Sequence, residues 1–555
     1  MSELAGPRFV ESELVRRAEE WLAQDPDPRT RAELRDLLDR RDTAQLQHRF
    51  AARLEFGTAG LRGEMGAGPN RMNRVTVMRA AAGLAARLGP GAHVVIGYDA
   101  RHNSETFARD SAAVLTGARL RVSMMADRRP TPVLAFAVRH LGADAGIMVT
   151  ASHNPPRDNG YKVYWGDGSQ IVPPLDAEIS AAIDAVGPVD RLPLGEGWDT
   201  LDDAAIVEPY LAAVTALPLG EARDLRVVYT PMHGVGGTML LRAFAAAGFA
   251  PPAVVEAQFE PDPDFPTVAF PNPEEPGAMD LALHLAGRDG VDLVVANDPD
   301  ADRCAVGVPT GDGGFRMLTG DEVGGLLGEY VIGRTSGPDR LVAASIVSSS
   351  LLGKIAKAHG VRHTETLTGF KWIVKAGDGL VFGYEEALGY SVGSDDGLPV
   401  RDKDGIGAAL TVAGMAAAAR REGRTLIDLL DEQAVRYGLH ATSQLSVRVD
   451  DLSLITAAME RLRATPPTAL GGRAVRSVDD LSTGVEGLPP TDGLRYTLDG
   501  DARVVVRPSG TEPKLKCYLE VVVPVSGIAD APAARSRAAQ DLDALKADLS
   551  TALGL

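Results

Sequence analysis

Short apolar runs alternate with Ala/Leu-rich segments of helical spacing along most of this chain. His93 to Tyr98, Ala145 to Thr150, Leu225 to Tyr229, Val291 to Ala296, Leu341 to Val347 and Leu380 to Phe382 read as strands. Met78 to Leu88 and Met239 to Ala247 read as helices between them. Strands that are apolar on both faces need cover on both faces, which predicts α/β layers around largely buried sheets. In such layers the chemistry-bearing loops follow the carboxyl ends of strands.

The chain has 555 residues, room for three to five domains of roughly 100 to 200 residues each. Composition shifts mark seams at Val186 to Asp203, rich in Pro, Gly and Asp, and near Tyr437. At the amino end Leu14, Val15, Ala18, Trp21 and Leu22 recur at helical spacing until Asp25-Pro-Asp-Pro stops the pattern. Ala531 to Leu555 has helical spacing again and is expected to cover a last small sheet.

Charge narrows the partners. Lys plus Arg number 57 against 75 Asp plus Glu, a net charge of −18, and no Lys/Arg block supplies the basic surface that nucleic acid requires. A small anion stays compatible, because a few cations focused in a cleft outweigh a distant acidic surface. Only Cys304 and Cys517 occur, without metal-binding or disulfide spacing. Glutamates fill the stretch where a secretory signal needs a basic start and an apolar run, and no segment reaches the ~18 apolar residues of a membrane span. The expectation is a cytoplasmic protein with no nucleic-acid or membrane partner.

Five motifs carry chemistry. Thr150-Ala-Ser-His-Asn-Pro-Pro-Arg-Asp-Asn-Gly-Tyr-Lys162 follows an apolar strand, exposing Ser152 among His153, Asn154, Asn159 and Lys162, a setting for a serine that carries a charged group. A plain Ser/Asn/Pro turn is the bland alternative. The G-x-S-x-G pattern is absent from this motif, which leaves a serine hydrolase a weak competitor. Asn297-Asp-Pro-Asp-Ala-Asp-Arg303 also follows a strand, and Asp298, Asp300 and Asp302 at alternate positions aim carboxylates at one hard cation such as Mg²⁺. An EF-hand is excluded, since Arg303 and Pro309 stand where its glycine and glutamate belong. Arg507-Pro-Ser-Gly-Thr-Glu-Pro-Lys514 combines a guanidinium, hydroxyls, a glycine amide and an ammonium into a phosphate cradle. Gly383-Tyr-Glu-Glu-Ala-Leu-Gly-Tyr390 offers acceptor-only carboxylates suited to sugar hydroxyls. Phe56-Gly-Thr-Ala-Gly-Leu-Arg-Gly63 sets Arg62 in a glycine-rich loop.

In order and in placement these segments resemble the α-phosphohexomutase superfamily of phosphoglucomutases and phosphomannomutases, over nearly the whole chain. Phe56 to Asn73, Glu260 to Asp280 and Thr366 to Ile373 further resemble the branch that includes bacterial phosphoglucomutases and animal phosphopentomutase. The resemblance implies an α/β fold of four domains around a central cleft, three similar α/β units over 51–205, 206–318 and 319–436 and a smaller C-terminal α+β unit over 437–555, which the helical extension over 1–50 precedes. It makes Ser152 the phosphorylated residue, supported by His153, with Asp298, Asp300, Asp302 and the phosphoserine holding Mg²⁺. Arg62 and Lys162 fall near the transferring phosphoryl group, with Lys162 the acid/base candidate. Glu385 and Glu386 match sugar readers, Lys371 a cleft lysine, and Arg303 a neighbour of the metal loop. Arg507, Ser509, Gly510, Thr511 and Lys514 match the clamp on the non-reacting phosphate.

Two departures bear on substrate. Ala387 stands where many relatives have serine, and Tyr390 where some have a histidine that shares acid/base work; Lys403 in Arg401-Asp-Lys-Asp-Gly405 matches a family lysine, which by the resemblance takes that task instead. The implied activity interconverts glucose 1-phosphate and glucose 6-phosphate, with a sugar 1,6-bisphosphate as activator. The competitors are phosphopentomutase, phosphomannomutase, a bisphosphate synthase and a non-catalytic sugar-phosphate sensor.

Overall fold

The computed structural model describes residues 7–56, 60–449, 451–485, 487–509 and 514–554. Among them four sheets form. The first has six strands in the order Leu61–Glu64, Asp158–Trp165, Ala145–Val149, His93–Tyr98, Arg121–Met125, Asp199–Leu201. Its last four strands run parallel, while Asp158–Trp165 is antiparallel to both neighbours. The second sheet is ordered Phe315–Met317, Ala305–Pro309, Leu293–Ala296, Val227–Thr230, Ala253–Val254, and the third Arg362–Thr366, Leu341–Ser345, Leu380–Glu385, Gly389–Val392. His93–Tyr98, Ala145–Val149, Leu293–Ala296 and Leu341–Ser345 are buried at every position, as helix-covered strands must be.

The fourth sheet is antiparallel throughout: Leu439–Arg448, Lys514–Val523, Arg503–Pro508, Leu494–Leu498, Arg473–Asp480, Ala469–Leu470. Helix Ala531–Leu553 packs on it through Ala534, Ala538, Leu542, Leu545 and Leu549, one stripe at helical spacing. This unit closes its own apolar core. The second and third sheets share one continuous core that reaches into the first. Helix Gly405–Arg421 is the reason: rich in alanine and buried almost all round, it follows the third sheet in sequence yet packs on helices Asp203–Thr215 and Gly236–Ala246 of the second.

At the amino end three helices, Pro7–Gln24, Pro28–Asp39 and Thr43–Phe50, add Leu14, Ala18, Trp21, Leu34, Leu37, Leu46 and Phe50 to the core that covers one face of the first sheet. Their polar side braces the turn after Leu61–Glu64, where Glu33 accepts the Ala67 N–H at 2.9 Å and Arg49 donates to the Ala67 carbonyl at 3.1 Å.

One expectation needs correction. The segment from Thr150 to Lys162 reads as a loop, but strand Asp158–Trp165 begins inside it, so Asn159 and Lys162 belong to a strand. The Pro155-Pro156 and Asn-Gly signals hide a strand that is held by pairing on both sides. Gly160 permits this close approach: a Cβ there would lie 2.5 Å from the Thr150 carbonyl oxygen.

Candidate active site

The turn after Ala145–Val149 and the turn after Leu293–Ala296 meet at their tips. Ser152 and Ala301 both adopt left-handed backbone, at φ 50° and 55°, which turns each chain sharply enough to present its side chains to the other. Ser152 Oγ donates to Asp298 Oδ2 at 2.6 Å across a sequence separation of 146 residues. His153 Nδ1 lies 3.1 Å from the same hydroxyl. Burial, with Arg303 and Arg62 nearby, holds the His153 pKa well below the usual value, so the ring is neutral.

The three aspartates are fully buried, and an oxygen of each lies within 4.8 Å of the others. Their environments differ. Asp298 is pushed well above the usual carboxylate range by burial and by its two neighbours. Asp300 feels the same burial but lies below that range, because its Oδ2 accepts from Lys162 Nζ at 2.7 Å and from Thr131 Oγ1 at 2.6 Å. Asp302 is held lower still: burial opposes ionisation, but Lys162 at 3.0 Å and Lys403 at 3.2 Å both reach its Oδ2. The Oδ1 atoms of Asp300 and Asp302 are buried without a hydrogen-bond partner. Orphaned carboxylate oxygens in a convergent acidic cluster are the donor set that a hard divalent cation satisfies, so these residues fit Mg²⁺.

The other expected residues gather around this centre. Arg62 lies on the edge strand Leu61–Glu64 and donates to Asn154 Oδ1 at 3.2 Å, placing it over the serine turn. Arg303 donates its N–H to Asp298 Oδ1 at 3.1 Å. Its backbone bridges to Gly389 beside the paired glutamates, which ties the aspartate turn to the Glu385-Glu386 turn. Lys403 stands over the Phe370 ring at 5.6 Å, while Asp402 beside it accepts from Tyr164 and Gln170. Gly405 makes this packing feasible, since a Cβ there would meet the Arg303 carbonyl oxygen at 2.2 Å.

Glu385 ends strand Leu380–Glu385, and Glu386 accepts from Ser345 and Ser348 Oγ at 3.2 and 3.3 Å. Burial, then the charges of Glu385 and Asp321, raise Glu386 to about 7. Arg507 is on strand Arg503–Pro508 and bonds to Tyr518, whose hydroxyl senses the charge of both glutamates, so the fourth sheet turns its cation toward Glu385 and Glu386. Ser509 donates its N–H to the Lys514 carbonyl at 2.8 Å, closing the base of the loop. Gly510 and Thr511 lie outside the described residues. Lys371 lines a small cavity shared with Phe56, Gly60, Gln170 and Asp176. Tyr390 is no cleft residue: it is buried, stacked on Tyr384, and donates to the Gly320 carbonyl, since the alternation of strand Gly389–Val392 turns it into the core.

Sequence reasoning missed four contributors. Arg101 grips the serine turn, Thr131 binds Asp300, and Glu274 accepts from Arg303 Nη1 at 3.2 Å. Lys516 faces Glu274 from the fourth sheet. Arg101 follows the strand His93–Tyr98, so the strand-end rule that exposed the other motifs reaches it too. Thr131 and Lys516 carry no local signal, while Glu274 lies in the Glu260 to Asp280 stretch, whose resemblance assigns it no role.

Models of phosphoglucomutase/phosphomannomutase domains match this chain in order: alpha/beta/alpha domain I over 53–189, II over 208–311, III over 319–437, and the C-terminal domain over 445–533. The chain belongs to this family. It is a phosphosugar mutase, an intramolecular phosphotransferase of the isomerase class. It is 45% identical to the Haemophilus influenzae protein named "Probable phosphomannomutase" over 81% of this chain and 93% of that one. It is 34% identical to the human protein named "Phosphopentomutase", over 91% of each. A solved phosphoglucomutase/phosphomannomutase family protein from Burkholderia thailandensis shares the fold at TM-score 0.68 and 20% identity, covering 90% of this chain and 97% of its own. Among the described residues of this mutase no helix is long and apolar enough to cross a membrane.

Proposed function

We propose that this mutase moves a phosphoryl group between the 1-position and the terminal hydroxyl of glucose phosphate through a phosphorylated Ser152. The observation that carries the reading is the 2.6 Å bond between Ser152 Oγ and Asp298, two strand-end turns made to meet. Asp298, Asp300 and Asp302 would hold Mg²⁺ with a phosphoserine oxygen, and the ion when bound offsets charge on the phosphoryl oxygens.

The chain's own groups do the rest. Arg507 and the loop to Lys514 grip the phosphate that does not react, while Glu385 and Glu386 read hydroxyls. The free sugar hydroxyl bonds to phosphorus as the bond from phosphorus to Ser152 Oγ breaks. Lys162, kept as an ammonium by Asp300 and Asp302 against its own burial, gives a proton to the departing serine oxygen and is reloaded by the sugar hydroxyl proton. The net result is a sugar bisphosphate, a serine and no change of charge on the lysine. After the bisphosphate turns over, the same steps run backward and return the other phosphoryl group to Ser152. Arg62 sits over the turn, where it balances charge on the moving group. A sugar 1,6-bisphosphate activates by recharging a serine that has lost its phosphate.

A ribose phosphate is the second reading, favoured by Ala387, which leaves the sugar loop with carboxylates and no added hydroxyl, and by the human relative's name. Turnover of glucose, mannose and ribose 1-phosphates at fixed Mg²⁺ and bisphosphate separates these readings, with glucose expected to show the highest kcat/KM. Intact mass of the protein after bisphosphate treatment is expected to rise by one phosphoryl group, and not at all in Ser152→Ala. Full turnover by Ser152→Ala would remove the phosphoserine.

A further inference from the structure

We infer that Arg101 is the positioning residue that fixes Ser152 for phosphoryl transfer, an inference resting on the reading that Ser152 carries the phosphate. Arg101 is 4% exposed. Its Nη2 donates to the carbonyl oxygens of Ser152 at 2.5 Å and Asn154 at 2.6 Å, and its Nη1 to those of Pro155 at 2.9 Å and Asp158 at 3.1 Å. Four carbonyls of one turn therefore converge on one planar cation, and no other side chain presents donors in such a fork.

The convergence answers a problem set by the serine itself. Ser152 has φ 50°, a region that disfavours any residue with a Cβ, and a turn that tight persists only where its surroundings over-determine it. Thr150 Oγ1 accepts the Ser152 N–H at 2.9 Å, and Arg101 takes the carbonyl on the other side of the residue. Both peptide groups flanking the serine are thus pinned, which leaves its side chain aimed at Asp298 and His153.

The guanidinium is itself fixed before it serves the turn. Its Nε faces Asp99 Oδ2 at 3.5 Å, and Asp99 Oδ1 is held by Ser104 Oγ at 2.6 Å and by the Arg101 N–H at 3.0 Å. The Phe265 ring covers it, centroid 5.0 Å from Cζ. Phe265 comes from the unit that carries the aspartates, and beside it His102 pairs with Asp264 at 2.7 Å. One side chain therefore indexes the serine turn and the aspartate unit against each other. A residue that only glues the fold would lower stability and active fraction; a residue that sets an attack geometry lowers the rate in protein that is folded and binds substrate normally.

The test uses full-length enzyme charged with glucose 1,6-bisphosphate, its Ser152 phosphate verified by intact mass, and single-turnover transfer to glucose 1-phosphate. Arg101→Lys keeps the charge and loses the fork. Its transfer rate is expected to fall ~10²-fold, the scale of an ångström of misplacement, with KM changed less than about twofold. Phe265→Leu keeps all four hydrogen bonds, removes the covering ring, and is expected to lose about tenfold. In Arg101→Ala, methylguanidinium is expected to restore part of the rate where methylammonium does not. Phosphorylated Arg101→Lys transferring at the wild-type rate overturns the role of Arg101, as does a rate loss in Arg101→Lys that tracks unfolded protein. A wild type that turns over without ever carrying phosphate on Ser152 overturns the phosphoserine reading instead.

Discussion

Lys162 and Lys403 reach the same atom, Asp302 Oδ2, at 3.0 and 3.2 Å, one from the first sheet's strand Asp158–Trp165 and the other from the turn before helix Gly405–Arg421. Only Lys162 also binds Asp300. Replacing it with Met removes both the proton donor and a buried counter-charge, so kcat should fall ~10²- to 10⁴-fold. Lys403→Met should cost less, and the double variant should lose less than the product of the two, because one carboxylate serves both. Rapid-quench kinetics of the three proteins check this; Lys162→Met within tenfold of wild type would take the proton away from Lys162.

The unpartnered Oδ1 atoms of Asp300 and Asp302 set the second expectation. A chelator should abolish turnover and Mg²⁺ restore it. At Mg²⁺ a hundredfold above its dissociation constant the folded state should gain ~2.7 kcal/mol, seen as a higher melting temperature. Asp300→Asn should raise the half-saturating Mg²⁺ by about tenfold or more, the scale of one lost charged ligand. Equal Mg²⁺ dependence in that variant would strike Asp300 from the ligand set.

Glu386, raised to about 7 by burial and by the charge of Glu385, gives the cleft a titration near neutrality. The ionised carboxylate is the stronger acceptor and has no O–H of its own to place, so kcat/KM should rise with pH through about 7 in the free enzyme. Glu386→Gln should lose that limb of the profile while keeping the acidic limb due to substrate phosphate. An unchanged profile would separate Glu386 from sugar binding.

Asp321 is buried beneath the sugar loop, where Oδ1 accepts from the Ser349 N–H at 2.7 Å and from Tyr384 Oη at 3.0 Å. Burial raises it from the usual 3.8 to about 6. The folded state then binds a proton that the unfolded chain releases, so this group's contribution is fully present below about pH 4 and is lost as pH rises through about 6, a change on the order of 3 kcal/mol. Asn keeps an oxygen for both donors and carries no charge. Asp321→Asn should therefore gain stability over wild type between about pH 4 and pH 7, read by urea melts across that range. Parallel stability curves would show that Asp321 stays neutral or equally solvated in both states.

What the sequence revealed of the site follows from where its residues stand. Ser152, Asp298, Glu385 and Arg507 sit at or near strand ends, where apolar periodicity stops and polar chemistry begins, so their motifs stand out, and the family resemblance is what implies their roles. Arg101 stands at an equivalent place, but Asp-Ala-Arg resembles any solvated turn and carries no distinguishing signal. Glu274 and Lys516 are brought together only by the meeting of the second and fourth units, a relation without a local signature. Strand Asp158–Trp165 was hidden because its stability comes from partners on both edges rather than from its opening residues, which read as a turn. Tyr390, at the position where some relatives have a histidine, faces the core, because alternation along strand Gly389–Val392 decides which side a residue takes.

The separate core of the fourth unit has an evolutionary corollary. The second and third units share an interior where one altered volume disturbs many neighbours, whereas Arg507, the proposed clamp on the distal phosphate, stands on a module whose main core is its own and which meets the third unit through the small cluster of Ile346, Val347, Val505 and Tyr518. Selection for a longer or shorter sugar can therefore act on that module's surface and seating while the transfer chemistry is inherited intact, and a lineage can change its substrate without rebuilding its reaction.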